Sequence, residues 1–342
     1  MITFVKGGLL TTIQDTGRKG FQRFGMPPAG AMDQFAMKLA NVLVGNPQRT
    51  EVVETTMLGP TIQFGTDEVF AICGGDFSPH LDGRPIENNR AYLGRAGTLL
   101  ELPAAKSGAR AYIAFVGGLE AELKMGSRST YVKAGIGGVQ GRPVRDGDTI
   151  ALPAPSNFLP NWSQRFVPSD FGVSYSAQPT VRVTLGPQDE LFTEKGKADF
   201  FADDYVLTAE NDRMGFRFTG PEIEYARENT GNIISDGICF GSVQVTNGQP
   251  IVMMADRQTT GGYPKLACVI SADLPLMAQL KAGDSCRFQF VGVEEAQKLY
   301  LAQVRLLDDL AKRLQGKQDK PRQFRVTIQD KVFEVQVEEW RE

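Results

Sequence analysis

Histidine and cysteine are scarce in this chain, and that scarcity excludes several kinds of chemistry. The 342 residues include one histidine, His80, so a metal site built from several histidines is excluded. A Ser-His-Asp triad would depend on that single residue. The four cysteines lie far apart in the sequence with no CxxC pair, which indicates neither a zinc site nor a redox motif. We therefore expect no metal, and we expect any proton transfer to use Asp, Glu, Lys or Tyr side chains.

The chain also lacks the features that attract large or charged partners. Its net charge is −3 at pH 7 without a basic stripe, so we expect no nucleic-acid partner. No apolar run approaches the ~20 residues that a membrane-spanning helix needs, so we expect no membrane partner. Nothing in the sequence resembles a signal peptide, and a reduced, cytoplasmic protein is the best fit. A GxxxxGK[ST] loop is absent, so a nucleotide site in this chain would have to be unconventional.

The most polar segment of the chain is residues 256–265, with the sequence DRQTTGGYPK. It lies between two apolar runs, residues 250–255 and 266–270, that are typical of strands. Polar groups crowded at the end of a buried strand normally bind or react with something. The adjacent glycines would let the backbone approach a ligand closely. The alternative is an ordinary polar hairpin loop.

A second polar block, residues 11–18 with the sequence TTIQDTGR, precedes a glycine-rich stretch and a helix. Asp33 stands at the N-cap position, apolar residues then recur at helical spacing up to Leu43, and Gly45 followed by proline ends the helix. We predict that this block and residues 256–265 face one shared cleft. The alternative is that Asp15 and Arg18 occupy a surface turn.

Short β-branched or aromatic segments separated by Gly, Pro or Asp-Gly make up most of the chain. This punctuation predicts a mainly β architecture with few helices. A glycine cluster at residues 135–143 indicates either tight turns or a phosphate cradle. A weak internal repeat predicts two related β domains with a ligand at their junction. The matching segments keep their order: residues 59–64 with 220–225, 83–86 with 248–251, and 96–99 with 282–285.

The character of the chain changes near residue 292. Residues 294–314 have one apolar stripe and predict an amphipathic helix that packs on the body of the protein. After a polar linker, residues 324–337 alternate with period two about a turn at Asp330, which predicts a hairpin. We predict three units: residues 1–165 and 166–292 as β domains, and residues 293–342 as a helix, linker and hairpin.

Taken together, these residues resemble the carboxyltransferase A/B-subdomain family. Its members include the C subunit of 5-oxoprolinase (PxpC, also called allophanate hydrolase subunit 2), the regulatory protein KipA and the matching part of urea carboxylase. The resemblance covers about residues 1–290. It rests on residues 8–15 (GLLTTIQD), Gly17, Arg18, residues 30–33 (GAMD), 39–41 (LAN) and 43–46 (LVGN), Gly59, Pro60, Gly137, Gly138, Gly141, Arg142, Gly147, Asp148 and residues 255–265.

The resemblance implies two cyclophilin-like β barrels and a KipI-like (PxpB-like) protein as partner. It implies the C subunit of an ATP-dependent 5-oxoprolinase complex that opens 5-oxo-L-proline to L-glutamate, with a PxpA-like protein in several members and little activity of the lone chain. One alternative is a biotin-dependent carboxyltransferase that moves a carboxyl group from carboxybiotin, supplied in trans with biotin carboxylase and carrier proteins, to urea or another small amide. A third is a KipA-type protein that binds and antagonises a KipI-like inhibitor.

Candidate roles follow from the chemistry that both enzymes share, which needs an anion clamp and a base. Arg257 and Lys265 can bind anionic oxygens, Asp15 or Asp256 could serve as base, and Tyr263 as proton donor or orienter. The expected substrate-binding residues are Gln14, Arg18, Gln258, Thr259, Thr260, Gly261 and Gly262, where backbone amides around the glycines could donate to an oxyanion.

The tail is similar to the first hairpin of a biotin carboxyl-carrier domain. Such domains continue to an Ala-Met-Lys-Met loop whose lysine bears biotin, and that loop is absent from this sequence. We therefore expect no biotin attachment to this chain by that route. A purely structural hairpin is the alternative.

Overall fold

The computed structural model describes residues 1–153, 159, 161–226 and 231–315, together with the backbone of two strands in the tail. The predicted mainly β architecture with few helices is confirmed. The described part contains four α-helices: α1 (Gln34–Leu43), α2 (Glu194–Ala202), α3 (Leu274–Ala278) and α4 (Val293–Gln315). None of its helices is long and apolar enough to cross a membrane.

The first half forms two antiparallel sheets around one apolar core. Their hydrogen-bonded orders are β11-β1-β4-β9-β6-β7 and β2-β3-β10-β5-β8. The strands are β1 (Ile2–Lys6), β2 (Leu10–Gln14), β3 (Val52–Thr56), β4 (Thr61–Phe64), β5 (Glu68–Asp76), β6 (His80–Leu81), β7 (Arg84–Pro85), β8 (Arg90–Gly94), β9 (Leu99–Glu101), β10 (Ser107–Phe115) and β11 (Thr149–Ile150).

The second half is a closed seven-stranded barrel in the order β12-β19-β16-β17-β14-β13-β20. Hydrogen bonding thus closes a barrel in this half, whereas the described strands of the first half remain two sheets. A two-stranded sheet, β15-β18, adds to it. The strands are β12 (Thr180–Leu185), β13 (Asp204–Asn211), β14 (Gly215–Thr219), β15 (Asp236–Gly237), β16 (Ser242–Thr246), β17 (Gln249–Met253), β18 (Thr260–Gly261), β19 (Lys265–Val269) and β20 (Ser285–Phe290). The domain boundaries at residues 165 and 292 stay predictions.

Two of the three repeated segments fall at equivalent structural positions. Residues 83–86 and 248–251 each begin with the glycine of a two-residue hairpin turn. Asp82 (φ +52°) and Gly83 (φ +71°) join β6 to β7, and Asn247 (φ +50°) and Gly248 (φ +70°) join β16 to β17. Positive φ at both central residues is the geometry of a type I′ turn, which Asp-Gly and Asn-Gly favour. The third match places a turn glycine with positive φ two residues before β9 (Gly97) and two residues before β20 (Gly283).

The predicted helices form where the sequence indicates them. Asp33 accepts a hydrogen bond from the Ala36 backbone N–H (2.9 Å), so it caps α1 as predicted. Helix α4 buries Leu307, Leu310 and Leu314 in a core shared with α1. The apolar stripe therefore packs on the body, as predicted.

Arg165 ties the ends of these two helices together. Its guanidinium donates to the carbonyls of Leu43 (2.6 Å) and Val42 (3.0 Å) in α1 and of Leu314 (3.1 Å) in α4. Beyond α4 the tail forms the predicted hairpin, with strands β21 (Arg322–Ile328) and β22 (Lys331–Val337) paired in antiparallel register. The intervening turn at Asp330 lies outside the described residues.

Candidate functional site

The N-terminal polar block is buried, and the carboxylate at its centre is used within the fold. The carboxylate of Asp15 accepts four hydrogen bonds: from the hydroxyls of Ser127 (2.7 Å) and Ser129 (2.6 Å) and from the backbone N–H groups of Gly17 (2.7 Å) and Arg128 (2.7 Å). Because all these donors are internal, Asp15 organises two loops in this structure. The alternative of a surface turn is wrong.

Gln14 and Arg18 flank Asp15 and are both fully buried. The Gln14 amide donates to Thr12 Oγ1 (3.0 Å) and to the Thr130 carbonyl (3.1 Å). Arg18 Nη2 donates to the carbonyl of Ser129. Within the described residues, Arg18 Nε and Nη1 and Gln14 Oε1 have no hydrogen-bond partner. These free atoms could bind a water molecule or small polar ligand.

The glycine cluster at residues 135–143 forms tight turns that enclose Arg18. Gly137 adopts φ +72°, and a Cβ there would lie 2.2 Å from the Ser129 carbonyl oxygen and 2.5 Å from Arg18 Nη2. Glycine is required here because any side chain would displace the buried arginine. This packing supports the tight-turn interpretation over the phosphate cradle.

A buried ion triad joins the N-terminal region to the barrel. Arg213 binds both carboxylate oxygens of Asp256 (2.9 and 3.0 Å), the carboxylate of Glu54 on β3, and the carbonyl of Gly30 (2.7 Å). Burial alone would lower the pKa of Arg213, but Asp256 and Glu54 outweigh it and the pKa is raised. The carboxylate of Asp256 therefore helps to hold the two halves together by fixing Arg213 against Glu54.

A second polar contact across the junction centres on Gln279, after α3. Its amide oxygen accepts from the N–H groups of Ala109 and Arg110 (both 3.0 Å), and its Nε2 donates to Asp33 (3.0 Å) and the Arg110 carbonyl (3.0 Å). Asp33 also accepts from the hydroxyl of Tyr175 (2.7 Å). Burial raises the pKa of the Asp33 carboxyl, although its three hydrogen bonds oppose the shift. Asp33 is thus both a helix cap and an interface group.

The segment after Met253 is a crossover connection, so the hairpin-loop alternative is wrong. Strand β16 lies between β17 and β19 in the barrel, and residues 254–264 must pass its end to connect them. On the way, Thr260 and Gly261 form β18 and pair with Gly237 and Asp236. A long connection held by a second small sheet is a suitable frame for a binding site.

A pocket of about 340 Å³ lies under this crossover, and two of the predicted residues line it. Arg257 is 6% exposed, and its guanidinium donates to the carbonyls of Ile238 (3.2 Å) and Met254 (3.3 Å) and towards Gln22 Oε1 (3.5 Å). Lys265 Nζ pairs with Asp236 (3.0 Å). The full lining is Gln22, Leu185, Gly186, Pro187, Gly237, Ile238, Cys239, Ser242, Arg257, Lys265, Ala267 and Cys268.

Gln22 brings the N-terminal region to this pocket. Its Nε2 donates to the carbonyls of Ile238 (2.8 Å) and Thr259 (3.2 Å). The N-terminal half thus contributes to the pocket through Gln22, four residues beyond the polar block. Burial lowers the pKa of Arg18, and the negative charges of Asp15 and Asp256 oppose that shift. Arg18 is therefore close enough to Asp256 for their charges to interact.

The other predicted residues lie elsewhere along the crossover. Gln258 and Tyr263 line a second pocket of about 490 Å³, together with Lys133, Asp212 and Arg217. The carbonyl of Thr259 accepts from Ile238 N–H (3.1 Å), and that of Gly262 from Ile233 N–H (2.7 Å). Only four of the twelve predicted site residues therefore line these two pockets, and none of residues 11–18 lines either one.

Two cysteines that are distant in sequence meet in the first pocket. The Sγ atoms of Cys239 and Cys268 are 3.3 Å apart, and Ser242 Oγ is 3.0 Å from the Cys239 sulfur. The pKa of Cys239 is lowered, chiefly by its hydrogen bond with Cys268, which acts against desolvation, with smaller contributions from Ser242 and Arg257. The pKa of Cys268 is correspondingly raised. Sequence spacing indicated no such pair.

Sequence reasoning also missed Gln22, Glu54, Arg213 and Gln279. The polar group of each forms hydrogen bonds with residues of the other half of the chain, so its role cannot be read from its neighbours in the sequence. Arg213 lies in a short turn between two strands, where charged residues are usually exposed, so its local sequence does not mark it as buried. No local signal marks Gln279 either.

Comparison with known proteins adds independent information. The family described as carboxyltransferase domain, subdomain A and B, matches residues 24–290. This chain belongs to that family.

Relatives in the carboxyltransferase A/B family include independent subunits and parts of larger enzymes. The chain is 36% identical to the 5-oxoprolinase C subunit of Escherichia coli over 316 residues, covering 92% of this chain and 99% of the relative. It is 36% identical to the same protein of Haemophilus influenzae over 306 residues, covering 87% and 96%. It also superposes on the crystal structure of the K. lactis urea amidolyase with a TM-score of 0.85 and 29% identity, covering 90% of this chain and 20% of that one.

The pocket in this family member is chemically suited to an anion. Two buried cationic side chains, Arg257 and Lys265, and the amide of Gln22 surround it. A guanidinium and an ammonium in a desolvated setting bind carboxylate or oxyanion groups more strongly than they do in water. Among the described residues, no group of three or more His, Cys, Asp or Glu side chains could hold a metal ion.

Proposed function

We propose that this chain is the C subunit of an ATP-dependent 5-oxoprolinase complex, which acts with a KipI-like partner to convert 5-oxo-L-proline to L-glutamate. The observation that carries the proposal is the match to the 5-oxoprolinase C subunit of Escherichia coli over 99% of that relative's length. By contrast, the chain spans only 20% of the urea amidolyase structure. The identity is also higher to the 5-oxoprolinase subunit, 36% against 29%.

The geometry of the first pocket supports this substrate. 5-Oxoproline carries a carboxylate and a lactam carbonyl, and opening the ring develops negative charge on the carbonyl oxygen. Arg257 would bind one anionic oxygen, and Lys265, which already pairs with Asp236, would contribute a further N–H donor. Gln22, whose amide is hydrogen-bonded to the carbonyls of Ile238 and Thr259, would hold the N-terminal half against the pocket.

In this proposal, the chain binds 5-oxoproline and stabilises the negative charge that develops on the carbonyl oxygen. A partner protein supplies the general base. Asp15 and Asp256, the two predicted bases, already accept hydrogen bonds from buried internal donors. A general base must reach the proton that it abstracts, and neither carboxylate lines either pocket. This division of labour agrees with the expectation that the chain alone has little activity.

Reconstitution tests the proposal. The chain, a KipI-like protein and a PxpA-like protein would be combined, and ATP hydrolysis that depends on 5-oxoproline would be measured together with glutamate release. We expect both only when the chain is present, with each of the three proteins left out in turn as control. Full activity of the other two proteins without this chain, or of this chain by itself, would contradict the proposal.

A biotin-dependent carboxyltransferase is the second candidate, and the structural match favours it. The chain aligns over 90% of its length with the K. lactis urea amidolyase, and its β21–β22 hairpin is similar to the start of a biotin carrier domain. In this case carboxybiotin would be supplied in trans. Carboxylation of urea or a small amide by the chain, the KipI-like partner, a biotinylated carrier and biotin carboxylase would replace the first proposal if 5-oxoproline is not turned over.

A further inference from the structure

Cys239 and Cys268 form a thiol pair built into the wall of the first pocket. Cys239 lies in the turn before β16, and Cys268 lies on β19, paired in register with Ser242. The two Sγ atoms are 3.3 Å apart, and Ser242 holds Cys239 through both its backbone N–H (3.1 Å) and its sulfur (3.0 Å). Because both cysteines line the pocket, a small reagent can reach them.

The surroundings of the pair favour a reactive thiolate on Cys239. The hydrogen bond between the two sulfurs lowers the pKa of Cys239, and the nearby Arg257 guanidinium adds positive charge. Thiolates rather than thiols react with electrophiles and oxidants, so an exposed thiolate beside a cation and a second thiol is a reactive arrangement. Cys73 and Cys286, the remaining cysteines, are 0% and 1% exposed, and burial raises the pKa of each.

We propose that Cys239 and Cys268 are a peroxide-reactive dithiol that closes to a disulfide in the pocket wall. The Cys239 thiolate attacks one oxygen of hydrogen peroxide, the O–O bond breaks, and the products are Cys239 sulfenic acid and one water after proton uptake. The Cys268 thiol then attacks the sulfenic sulfur, forms the S–S bond and releases the second water. Two thiols are thus oxidised by two electrons while one peroxide is reduced to two waters.

The fold places the two sulfurs close together for the second step, in which Cys268 attacks the sulfenic sulfur of Cys239. A disulfide needs an S–S distance of about 2.05 Å, so the two sulfurs must approach by roughly 1.3 Å from their present positions. Cys239 lies outside the paired residues of β16 and β19, so the bond would form between a turn residue and a strand residue. The disulfide would also remove the negative charge next to Arg257, so the oxidised pocket would be more positively charged than the reduced one.

The test uses the folded full chain. Reduced protein is treated with one equivalent of hydrogen peroxide, remaining thiols are alkylated, and peptides are mapped by mass spectrometry without reduction. We expect one peptide pair linked through Cys239 and Cys268, reversal by dithiothreitol, and labelling of Cys73 and Cys286 only after unfolding. Failure of Cys239 to react ahead of Cys73 and Cys286, or links mainly between separate chains, would overturn the proposal.

One variant and its control distinguish the thiol that attacks peroxide from the thiol that forms the disulfide. In Cys268→Ser we expect Cys239 sulfenic acid to persist and to be trapped by dimedone. Cys286→Ala is the matched control, because it removes a buried thiol and should leave the 239–268 link at the wild-type yield. If Cys268→Ser does not fold, the peptide map of the wild-type protein still decides the matter. None of these readouts depends on the proposed enzymatic function.

Discussion

The two polar blocks of this chain, residues 11–18 and residues 256–265, have similar compositions and different fates. In the first, the carboxylate of Asp15 is saturated by four internal donors. In the second, Arg257 and Lys265 are buried yet line a pocket. Crowded polar residues at a strand end therefore indicate an important segment, but only their hydrogen-bond partners show whether it binds a ligand or builds the fold.

The largest expected effect is on the triad that joins the two halves. Arg213→Met leaves Glu54 and Asp256 buried without their cation, so we expect a loss of about 3–5 kcal/mol in the free energy of unfolding. Denaturant unfolding measures it. The control is Arg287→Met, because the Arg287–Asp204 pair is about half exposed on both sides and should contribute under ~1 kcal/mol. Equal effects would show that the triad is not a structural clamp.

Asp15→Asn tests whether the first block is structural. The amide keeps the shape but loses the charge that four donors share, and we expect a loss of about 1.5–3 kcal/mol. Turnover per folded molecule in the reconstituted complex should stay at the wild-type value. Asp67→Asn is the control, since Asp67 is 44% exposed and accepts one backbone hydrogen bond. A large fall in turnover with unchanged stability would instead make Asp15 a catalytic residue.

The pH dependence of alkylation tests the electrostatics of the pocket. A lowered pKa keeps Cys239 ionised at pH values where an ordinary thiol is protonated, so its alkylation rate should fall only as the pH drops through that lowered pKa. The groups that face it are Cys268, Ser242 and Arg257. We expect the rate profile of the folded chain to lie at lower pH than that of the urea-unfolded chain. Coincident profiles would contradict the account.

The smallest effect is expected in the second pocket. Tyr263 is 40% exposed, and its hydroxyl makes no hydrogen bond within the described residues, so Tyr263→Phe should change the free energy of unfolding by no more than ~0.5 kcal/mol. Turnover should also be unchanged if the first pocket is the working site. A loss of activity on removal of this single oxygen would move the site to the pocket of Gln258 and Tyr263.

Local signals in the sequence were sufficient for much of the fold. The Asp33 cap and the period of α1, the apolar stripe of α4, and the Asp-Gly and Asn-Gly turns each act over a few residues, so each could be predicted from a short window.

Features that depend on distant pairing could not be predicted in this way. Strand β16 separates β17 from β19, and no local pattern shows that residues 254–264 cross over it. The pairing of β16 with β19 brings Cys268 close to Cys239, and the contact between the two halves places Gln22 against Thr259. For the candidate site, the sequence identified Arg257 and Lys265 but could not separate them from Gln258 and Tyr263, which face another pocket.

The central claim is that the polar segment 256–265 binds the substrate through the pocket lined by Arg257. The most direct test measures turnover and thermal unfolding of Arg257→Lys in the reconstituted complex, with Arg217→Lys in the second pocket as control. Lysine keeps the charge but loses the planar fork, so we expect turnover to fall by about 100-fold, with a stability loss of no more than ~1–2 kcal/mol. Wild-type turnover in Arg257→Lys would contradict the account.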